Sequence, residues 1–585
     1  MKTNPENNLL PQHPASEQGS RTISRREVLA ALSVAGAAAA AGMMLGERSG
    51  FAAAADSSPP VHSVMNAVYG QNPDDCCSPL AGFDHVAEMK LADLPAGKLA
   101  STVSYYAGWA ASPLGPLGGA LYDIVAPGDF AGTPDGYGDH VLVNGNIAVI
   151  RKTGGLLATR YGAKGDDGAT DSYPQLQAMA LQLKKQGGGT AVLDWAGGAY
   201  GIGETITLWN NTTFGGPNWL KIIAQTTYDC AVTGVPGAKN VHITELKVDG
   251  GLIPAQGGLY LRRNNTEWHA GSITVKNAAH SKSRKGGRAV TCEAGVNPGL
   301  YGGRKAVIGS IIAIDCYMAL CLAGGTNQED TGVVVNSLVA ERCETVIGLF
   351  GNSAGYPHPG VNMQHVVGGV AARNCGKAVT YARPHGAFVS DRGSNVRIGS
   401  LSLHNDPAYG TIGSLFMGDW SNVAVDGATF IGDCGSLLSF TRFFEADTIA
   451  DDVFATLNCA FKGIKHVGTC ANTVTTSKAD DLKVRDTELG LATDTVTSGL
   501  VLTPAMAAKT TVYCSIQNRQ HHTRIEGFAS AIGSSALLSD YSGASVHYGL
   551  TAHVPAYPDD ASAGTGGLSG GRLYKTSAGD ARIKL

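Results

Sequence analysis

Four short segments between residues 329 and 392 carry side chains suited to acid–base chemistry and to the binding of anions. They are Glu329–Asp330, Tyr356-Pro-His358-Pro, Arg383-Pro-His385 and Asp391–Arg392. Carboxylates act as general acids, general bases or nucleophiles, histidine and tyrosine transfer protons, and arginine binds carboxylates. The candidate catalytic residues are therefore Glu329, Asp330, Tyr356, His358, Arg383, His385 and Asp391. The alternative is that these polar residues, several of them flanked by proline, only shape solvated turns.

An internal repeat predicts the elements that would bring these segments together. Six stretches of alternating apolar residues share one pattern: 272–278, 310–316, 337–343, 369–375, 400–406 and, more loosely, 428–434. A second apolar run follows several of them, at 319–322, 346–350 and 378–381. A repeat of roughly 30 residues indicates stacked solenoid coils. The segments that follow the second run of each coil are expected to emerge along one edge.

Four of the 12 cysteines, Cys316, Cys343, Cys375 and Cys434, end successive repeats. Stacked coils lie about 4.8 Å apart, so the spacing predicts an inward column of small side chains, interrupted at Asp406. Buried cysteine packs as a small hydrophobic residue, and we expect free thiols here rather than disulfides. The chain has no Cys-x-x-Cys pair that would indicate a metal ion. The state of Cys76 and Cys77, outside the repeat, is left open.

A strip of polar residues precedes the cysteine column and is a second candidate location for chemistry. Its members are Lys276, Asn277, Asp315, Glu341, Arg342, Arg373, Asn374, His404 and Asn405. Stacking would place opposite charges on neighbouring coils, an arrangement that more often belongs to a solenoid surface than to a catalytic site.

Residues 158–208 contain Gly162-Ala-Lys-Gly-Asp-Asp-Gly-Ala-Thr-Asp171, a helical pattern over 173–186, a triple glycine and Gly197-Gly-Ala-Tyr200. This segment resembles the opening of the pectate-lyase-like family of right-handed parallel β-helices, with Ser172 and Ala196 in place of the usual Asp and Pro. Asp171 is expected to cap the helix, and the glycines to end it. Its apolar stripe, formed by Leu176, Met179, Ala180 and Leu183, is expected to cover the first coil.

The resemblance implies an all-β fold, a right-handed parallel β-helix with a capping helix, a small N-terminal β module and a β-rich C-terminal region. It also implies a protein that handles polysaccharides. It does not specify the reaction, because lyases, hydrolases, epimerases and phage tailspikes share this opening.

Both forms of polysaccharide cleavage have candidates in the four segments. Hydrolysis would use two carboxylates among Glu329, Asp330 and Asp391 of these segments and Asp419, which is expected one coil further on. β-Elimination would use Arg383 or Arg392 to neutralise a uronate carboxylate and His358, His385 or Tyr356 to transfer protons.

A basic run in a chain of net charge −4 indicates an anionic ligand. The run consists of Lys282, Arg284, Lys285 and Arg288, which are predicted to bind an acidic polysaccharide together with Arg392 and Trp420. A solvated loop and a buried tryptophan are the alternatives.

We expect cleavage of an acidic extracellular or capsular polysaccharide, by hydrolysis or elimination. A uronate epimerase and a non-catalytic binding or structural protein are the alternatives. The Gly-His-Gly pattern of polygalacturonases and the Asp-Pro-His motif of alginate epimerases are both absent. No metal or cofactor is predicted, the net charge argues against nucleic acid as a partner, and a homotrimer is possible.

The N-terminus looks like a twin-arginine export signal. Ser24-Arg25-Arg26-Glu27-Val28-Leu29 precedes an apolar stretch to Leu45, and Ala53-Ala-Ala55 offers a cleavage site. We predict a periplasmic or secreted protein with a signal over 1–55, a small module over 56–152, the β-helix over 153–445 and a β-rich region over 446–585. Nothing after residue 60 is long and apolar enough to span a membrane.

Overall fold

The computed structural model describes residues 80–151, 154–261, 266–279, 286–293, 306–323, 332–350, 365–377, 386–440, 455–457, 459–476, 483–485, 488–493, 558–565, 573–575 and 581–583. The predicted export signal, Cys76 and Cys77 lie outside these residues. No helix in the described part of the chain is both long and apolar enough to cross a membrane.

A small mixed sheet comes first in the described chain. Its strands are β1 (Ala81–His85), β2 (Leu99–Ser104), β3 (Leu121–Val125), β4 (Asp139–Val141) and β5 (Ile147–Ile150), with helix α1 (Val86–Lys90) after β1. The strand order is β1-β2-β3-β5-β4, and only the pair β1–β2 is parallel. We call this unit the N-terminal module.

The helix that covers the first coil is α2 (Tyr173–Lys185), and its predicted apolar stripe is fully buried. Gly187 and Gly188 end the helix with paired hydrogen bonds to the Lys184 and Leu183 carbonyls, a Schellman motif. The Gln177 side chain bonds both the N–H and the C=O of Thr207, so the helix also satisfies an otherwise open strand edge.

Asp171 was predicted to cap the helix, but it lies one residue before the N-cap position. The residue before the helix is Ser172, whose side chain bonds Lys164 rather than the helix. Asp171 accepts the N–H of Tyr173 at 3.0 Å and also that of Gly203 at 3.0 Å. Its carboxylate therefore ties the helix start to a corner of the first coil.

Parallel strands then stack in one continuous sheet. The first coils contain β6 (Leu156–Leu157), β7 (Gly189–Val192), β8 (Tyr200–Ile202), β9 (Ile206–Leu208), β10 (Thr212–Gly215), β11 (Trp219–Ile222), β12 (Cys230–Gly234), β13 (Lys239–Asp249) and β14 (Gly257–Leu261). The middle coils contain β15 (Thr266–Lys276), β16 (Arg288–Glu293), β17 (Ala306–Ile314), β18 (Met318–Ala323), β19 (Val333–Glu341), β20 (Thr345–Phe350), β21 (His365–Arg373) and β22 (Gly386–His404). The last coils contain β23 (Ile412–Val425), β24 (Ala428–Ile431), β25 (Cys434–Phe440), β26 (Ala455–Leu457), β27 (Ala460–Val467), β28 (Cys470–Thr476), β29 (Lys483–Arg485) and β30 (Glu488–Thr493).

Each coil has three faces, and one buried row of apolar residues runs along the inside of each. The row of face I is Ile243, Ala270, Ile308, Val335, Val367, Ile398 and Val425. The row of face II is Leu246, Ile273, Ile311, Leu338, Val370, Leu401 and Ala428. The row of face III is Leu259, Val290, Leu320, Ile347, Phe388, Phe416 and Leu438. The fold is the predicted right-handed parallel β-helix.

The repeat inferred from the sequence matches the register of the coils. Ser272, Ser310, Ser337, Gly369 and Ser400 are paired in that order on neighbouring strands. Strand pairing also continues beyond residue 445, through β27, β28 and β30. At the C-terminal end, helix α3 (Asp560–Thr565) and an antiparallel pair, β31 (Leu573–Lys575) with β32 (Ala581–Ile583), are described.

The polar strip forms the corner between faces II and III. Asn277, Asp315, Arg342 and Asn374 all have positive φ, between 51° and 57°. Their side chains bond to neighbouring coils: Arg342 binds Asp315 at 2.7 Å, and Asn374 donates to Asp406 at 2.9 Å. Hydrogen bonds from Asn374 and Arg373 lower the pKa of Asp406. This strip therefore holds the turns in place.

The cysteine column lies just inside this corner, as predicted. Cys316, Cys343, Cys375 and Cys434 are at most 2% exposed and carry free thiols. The interruption is not filled by Asp406, which is half-exposed. The Asn405 side chain bonds the backbone of Cys375 instead, and Ile412 is paired with Cys434. Cys470, which the repeat did not reveal, pairs with Cys434 and extends the column.

Replacing Asn374 by alanine should lower the free energy of unfolding by about 1–3 kcal/mol. The corner loses its hydrogen bonds to Asp406, and alanine tolerates the positive φ at this position less well than asparagine does. Asn374→Gly should cost less, since glycine adopts that φ freely. Asn336→Ala, at an exposed position of β19, is the control and should change little. Urea unfolding checks this. Equal stability of the alanine variant and the wild type would contradict a structural role for the corner.

Candidate functional site

Most of the predicted catalytic side chains lie outside the described residues. These are Glu329, Asp330, Tyr356, His358, Arg383 and His385, and the same holds for the predicted substrate contacts Lys282, Arg284 and Lys285. Asp391 and Arg392 are described through their backbone alone, and Arg288 and Trp420 with their side chains. The strands that come directly before or after these segments are described, and they show at which edge of the sheet each segment begins or ends.

The edge where the strands of face III end, called the trailing edge, gathers one group of candidates. Ala323 ends β18, Phe350 ends β20, and Asp391 is the last residue of β22 that pairs with β20; the three are register partners. The segment with Glu329 and Asp330 begins directly after Ala323, and the segment with Tyr356 and His358 begins directly after Phe350. Neighbouring strands are about 4.8 Å apart, so these segments start next to each other and next to Asp391.

The expected position of Arg383 and His385 is wrong. Residues 378–381 were expected to be the second apolar run of their coil, with Arg383 and His385 after it. The strand that pairs with β20 starts at Gly386, and Phe388 is opposite Ile347. Residues 383–385 therefore come directly before a strand of face III, at the opposite or leading edge. The basic run 282–285 precedes β16 in the chain in the same way.

Arg288 connects the two edges. It opens β16, and its guanidinium carbon lies 5.6 Å from the centroid of the Phe350 ring at the end of β20. Its Nε is buried and has no hydrogen-bond partner among the described residues. No acidic side chain among the described residues pairs with it. A cation held over an aromatic ring, with an unused donor, is an arrangement that favours an anionic ligand.

The surroundings of Arg288 are apolar. Tyr317, Met318 and Cys321 form a small buried cluster apart from the main core, and Phe350 packs against it. Gly348 leaves the room that this cluster needs, because a Cβ there would lie 2.6 Å from the Met318 Cε and Sδ atoms. Charges interact more strongly beside such apolar groups than in open solvent. We call Arg288, Met318, Cys321, Gly348 and Phe350 the Arg288 site.

Trp420 is not a substrate contact. The structure leaves it 1% exposed and packs it edge-on against Phe416 and Phe461. Its aromatic surface is used inside the coil and is not free to stack on a sugar. Trp268 is likewise buried, whereas Trp209 and Trp219 are half-buried beneath the ammonium groups of Lys184 and Lys276.

Sequence reasoning missed Phe350 as the partner of Arg288. The available signal was an aromatic residue at the end of the run 346–350, at the register position where β18 has Ala323. The contact joins residues on β16 and β20, two coils apart, so no local pattern could reveal it.

Titratable groups also collect in the N-terminal module. Asp139 and His140, on β4, are at most 1% exposed, and neither side chain has a well-formed hydrogen bond to another described residue, although nearby backbone groups influence both pKa values. The buried Tyr161 hydroxyl also lacks a well-formed hydrogen bond to any described residue, and the Tyr105 and Tyr122 rings lie within about 6 Å of the His140 ring. These groups are sealed from solvent, and a polymeric substrate cannot reach them.

Burial raises the pKa of Asp139 from 3.8 to about 6, with Asp135 adding to the rise and Lys185 opposing it. Burial lowers the pKa of His140 from 6.5 to about 4, and Lys90 adds to the drop. The folded state thus favours the neutral form of both residues.

Among the described residues, no group of three or more His, Cys, Asp or Glu side chains has the arrangement of a metal site. The described chemistry near face III is thus a cation beside an apolar surface, with carboxylate, histidine and tyrosine segments starting at the trailing edge.

No protein family and no curated protein matches the sequence. Among solved structures, the enzymatically active domain of tailspike protein 2 from bacteriophage CBA120 is similar with a TM-score of 0.46 and 11% identity, over 73% of this chain and 60% of that one. The gp42 tailspike of Acinetobacter phage vb_AbaP_AS12 has a TM-score of 0.41 and 12% identity, over 85% and 82% of the two chains.

WceF from Pantoea stewartii, described as a glycan biofilm modifying enzyme with a tailspike-like parallel β-helix fold, has a TM-score of 0.28 and 11% identity, over 67% of this chain and 49% of that one. At such low identities and TM-scores, the activity of this chain has to be inferred from its own residues.

The buried pair in the N-terminal module predicts two opposed pH dependences. The contribution of Asp139 to stability is full below about pH 4 and is lost as the pH rises through 6. The contribution of His140 is full above pH 6.5 and is lost as the pH falls towards 4. In the wild type, the changes in stability that the two residues cause with pH have opposite sign and offset each other over this pH range.

Replacing one of these two residues should reveal the pH dependence of stability that comes from the other. On acidification from pH 6.5 to 4.5, His140→Gln should become more stable relative to the wild type and Asp139→Asn less stable, each by up to about 3 kcal/mol. Thermal unfolding across this range checks it. If the unfolding temperatures of the wild type and both variants changed with pH in parallel, these groups would not titrate as inferred.

Proposed function

We propose that this protein is an exported enzyme that binds and cleaves an acidic polysaccharide beside face III. The observation that carries the proposal is the half-buried Arg288 guanidinium, held over Phe350 with an unused donor and no acidic partner among the described residues. A uronate carboxylate offers the charge and the two oxygens that a guanidinium binds best.

The reacting groups are assigned to the trailing edge. Glu329, Asp330 and Asp391 are the proposed carboxylates for hydrolysis, and Tyr356 and His358 the proposed proton-transfer groups for elimination. Arg392 directly follows Asp391, so it replaces Arg383 as the proposed cation for a uronate carboxylate at the reacting sugar. Arg383 and His385 join the basic run at the leading edge as proposed substrate contacts.

Residues 1–55 are proposed to direct export by the twin-arginine route, to the periplasm or beyond the cell. The proposal rests on the Arg25-Arg26 pair, the apolar stretch and the alanine-rich cleavage site. A fusion of these residues to a reporter tests it. Loss of export in an Arg25→Lys, Arg26→Lys variant is the expected result, and unchanged export would contradict the route.

The activity is tested with residues 56–585 on a panel of acidic and neutral bacterial and plant polysaccharides, following reducing ends and the ultraviolet absorbance of unsaturated uronates together. Both signals indicate a lyase, and reducing ends alone indicate a hydrolase. His358→Ala and Asp391→Ala should abolish turnover without changing the unfolding temperature. Binding without either signal would favour a non-catalytic polysaccharide-binding protein, and full activity of both variants would remove the trailing edge from the mechanism.

Arg288→Gln should raise KM about tenfold or more with a smaller change in kcat, since it removes a charged hydrogen bond to the bound carboxylate. The KM of Arg288→Lys should lie between those of the wild type and Arg288→Gln, because lysine keeps the positive charge but lacks the planar fork of donors. Arg397→Gln is the control, since this exposed arginine on β22 is paired with Asp426 at 2.7 Å. Unchanged KM in Arg288→Gln would contradict the assignment of Arg288.

The protein is also proposed to form a homotrimer. Val339 is 41% exposed, and the outer sides of β17 and β19 also present half-buried Ile312 and Val334. Light scattering should give three times the chain mass. Val339→Asp should dissociate the assembly, whereas Ser402→Asp, two coils further along the same column, should not. A monomeric wild type would refute the trimer.

A further inference from the structure

Cys434 and Cys470 differ from the other thiols of the column. They open β25 and β28 and are register partners on neighbouring parallel strands. Their sulfur atoms are 3.5 Å apart, and both residues are buried, at 2% and 4% exposure. Parallel strands are about 4.8 Å apart, which is within the range of Cα separations, about 4.4–6.8 Å, that a disulfide spans.

The thiols of the upper coils have close backbone partners. Cys316, Cys343 and Cys375 each approach a backbone carbonyl two residues earlier in the chain, at 3.4, 3.6 and 3.2 Å. The thiols of Cys316 and Cys343 also approach carbonyls of the preceding coil, at 3.6 and 3.5 Å, and the Cys375 sulfur accepts the backbone N–H of Cys343 at 3.3 Å. The Cys434 thiol points instead at the sulfur of the next coil.

The corners before the two groups of cysteines are also built differently. In the upper coils a single residue with positive φ, such as Arg342 or Asn374, precedes the cysteine and is bonded to a neighbouring coil through its side chain. In the lower coils Gly432 and Gly468 take that place, with φ of 140° and 139°, and one further residue separates each glycine from its cysteine.

The glycine corners bring the lower coils close together. A Cβ on Gly468 would lie 2.3 Å from the carbonyl oxygen of Gly432, so the two backbones touch where a side chain would keep them apart. Glycine also gives each corner the freedom to turn its cysteine. The sulfur atoms need to approach by only about 1.5 Å to reach the bonded distance of about 2.05 Å.

We propose that Cys434 and Cys470 are an oxidisable pair that forms a disulfide, while the upper thiols stay reduced. The two thiols exchange with a disulfide oxidant, RSSR. One cysteine sulfur forms a mixed disulfide and releases one RSH. The second cysteine sulfur then displaces the other RSH and leaves the Cys434–Cys470 bond. Two electrons and two protons pass from the protein to the oxidant, which is reduced to two thiols.

The bond would tie β25 to β28 and close the chain between them into a loop. Closing a loop removes conformations from the unfolded chain, so the oxidised form should resist unfolding more than the reduced one. Its hydrogen bond to Cys470 raises the pKa of the Cys434 thiol, and burial adds to the rise, so the thiolate is scarce and the reaction should be slow. The inference stands independently of the proposed enzymatic activity.

The test uses protein of residues 56–585, purified under reducing conditions and then incubated with oxidised glutathione. Alkylation and peptide mass analysis should find a Cys434–Cys470 crosslink that has lost the mass of two hydrogen atoms. Cys316, Cys343 and Cys375 should remain open to alkylation after unfolding. The unfolding temperature should rise by several degrees on oxidation and return to its starting value after treatment with a reductant.

Cys470→Ser should abolish both the crosslink and the rise in unfolding temperature, whereas the matched variant Cys343→Ser should keep both. Because a serine in the column can itself weaken folding, each variant is compared in its own reduced and oxidised forms. Alkylation of both Cys434 and Cys470 after prolonged oxidation, or a crosslink between other cysteines of the column, would overturn the proposal.

Discussion

The whole solenoid depends on parallel backbone hydrogen bonds that hold each coil one strand spacing from the next, in register. This spacing makes a residue of one coil the direct neighbour of its equivalents above and below. A position that is apolar, glycine or left-handed in one coil is therefore constrained in the next as well. Gly271 and Gly309 illustrate this, since a Cβ on either would lie within 2.5 Å of a carbonyl of the preceding coil.

The same constraint organises the site. Segments that leave from one row of the sheet must start side by side, however far apart they are in the chain. Ala323, Phe350 and Asp391 form such a row, and the acidic, tyrosine and histidine segments begin there. The basic segments precede the strands of the same face and so belong to its other edge. Arg288 reaches across the face to Phe350 and joins the two edges.

Much of the fold could be predicted because the coils repeat locally. The serine positions of the repeat, the buried cysteines and the stripe of the capping helix all follow from short patterns. The position of Arg383 could not, because the interval between Cys375 and Gly386 is longer in this coil and hides which run is the strand. Trp420 could not either, because its burial depends on Phe416 and on Phe461 of the next coil.

The most direct measurement is amide hydrogen exchange, with and without an oligosaccharide of the polysaccharide that the panel identifies. Binding beside face III predicts slower exchange in peptides that cover 280–293 and 345–364, with no change along face II in 337–341 and 369–373. Protection confined to face II, or to the N-terminal module, would place the polysaccharide elsewhere and contradict the assignment of the Arg288 site.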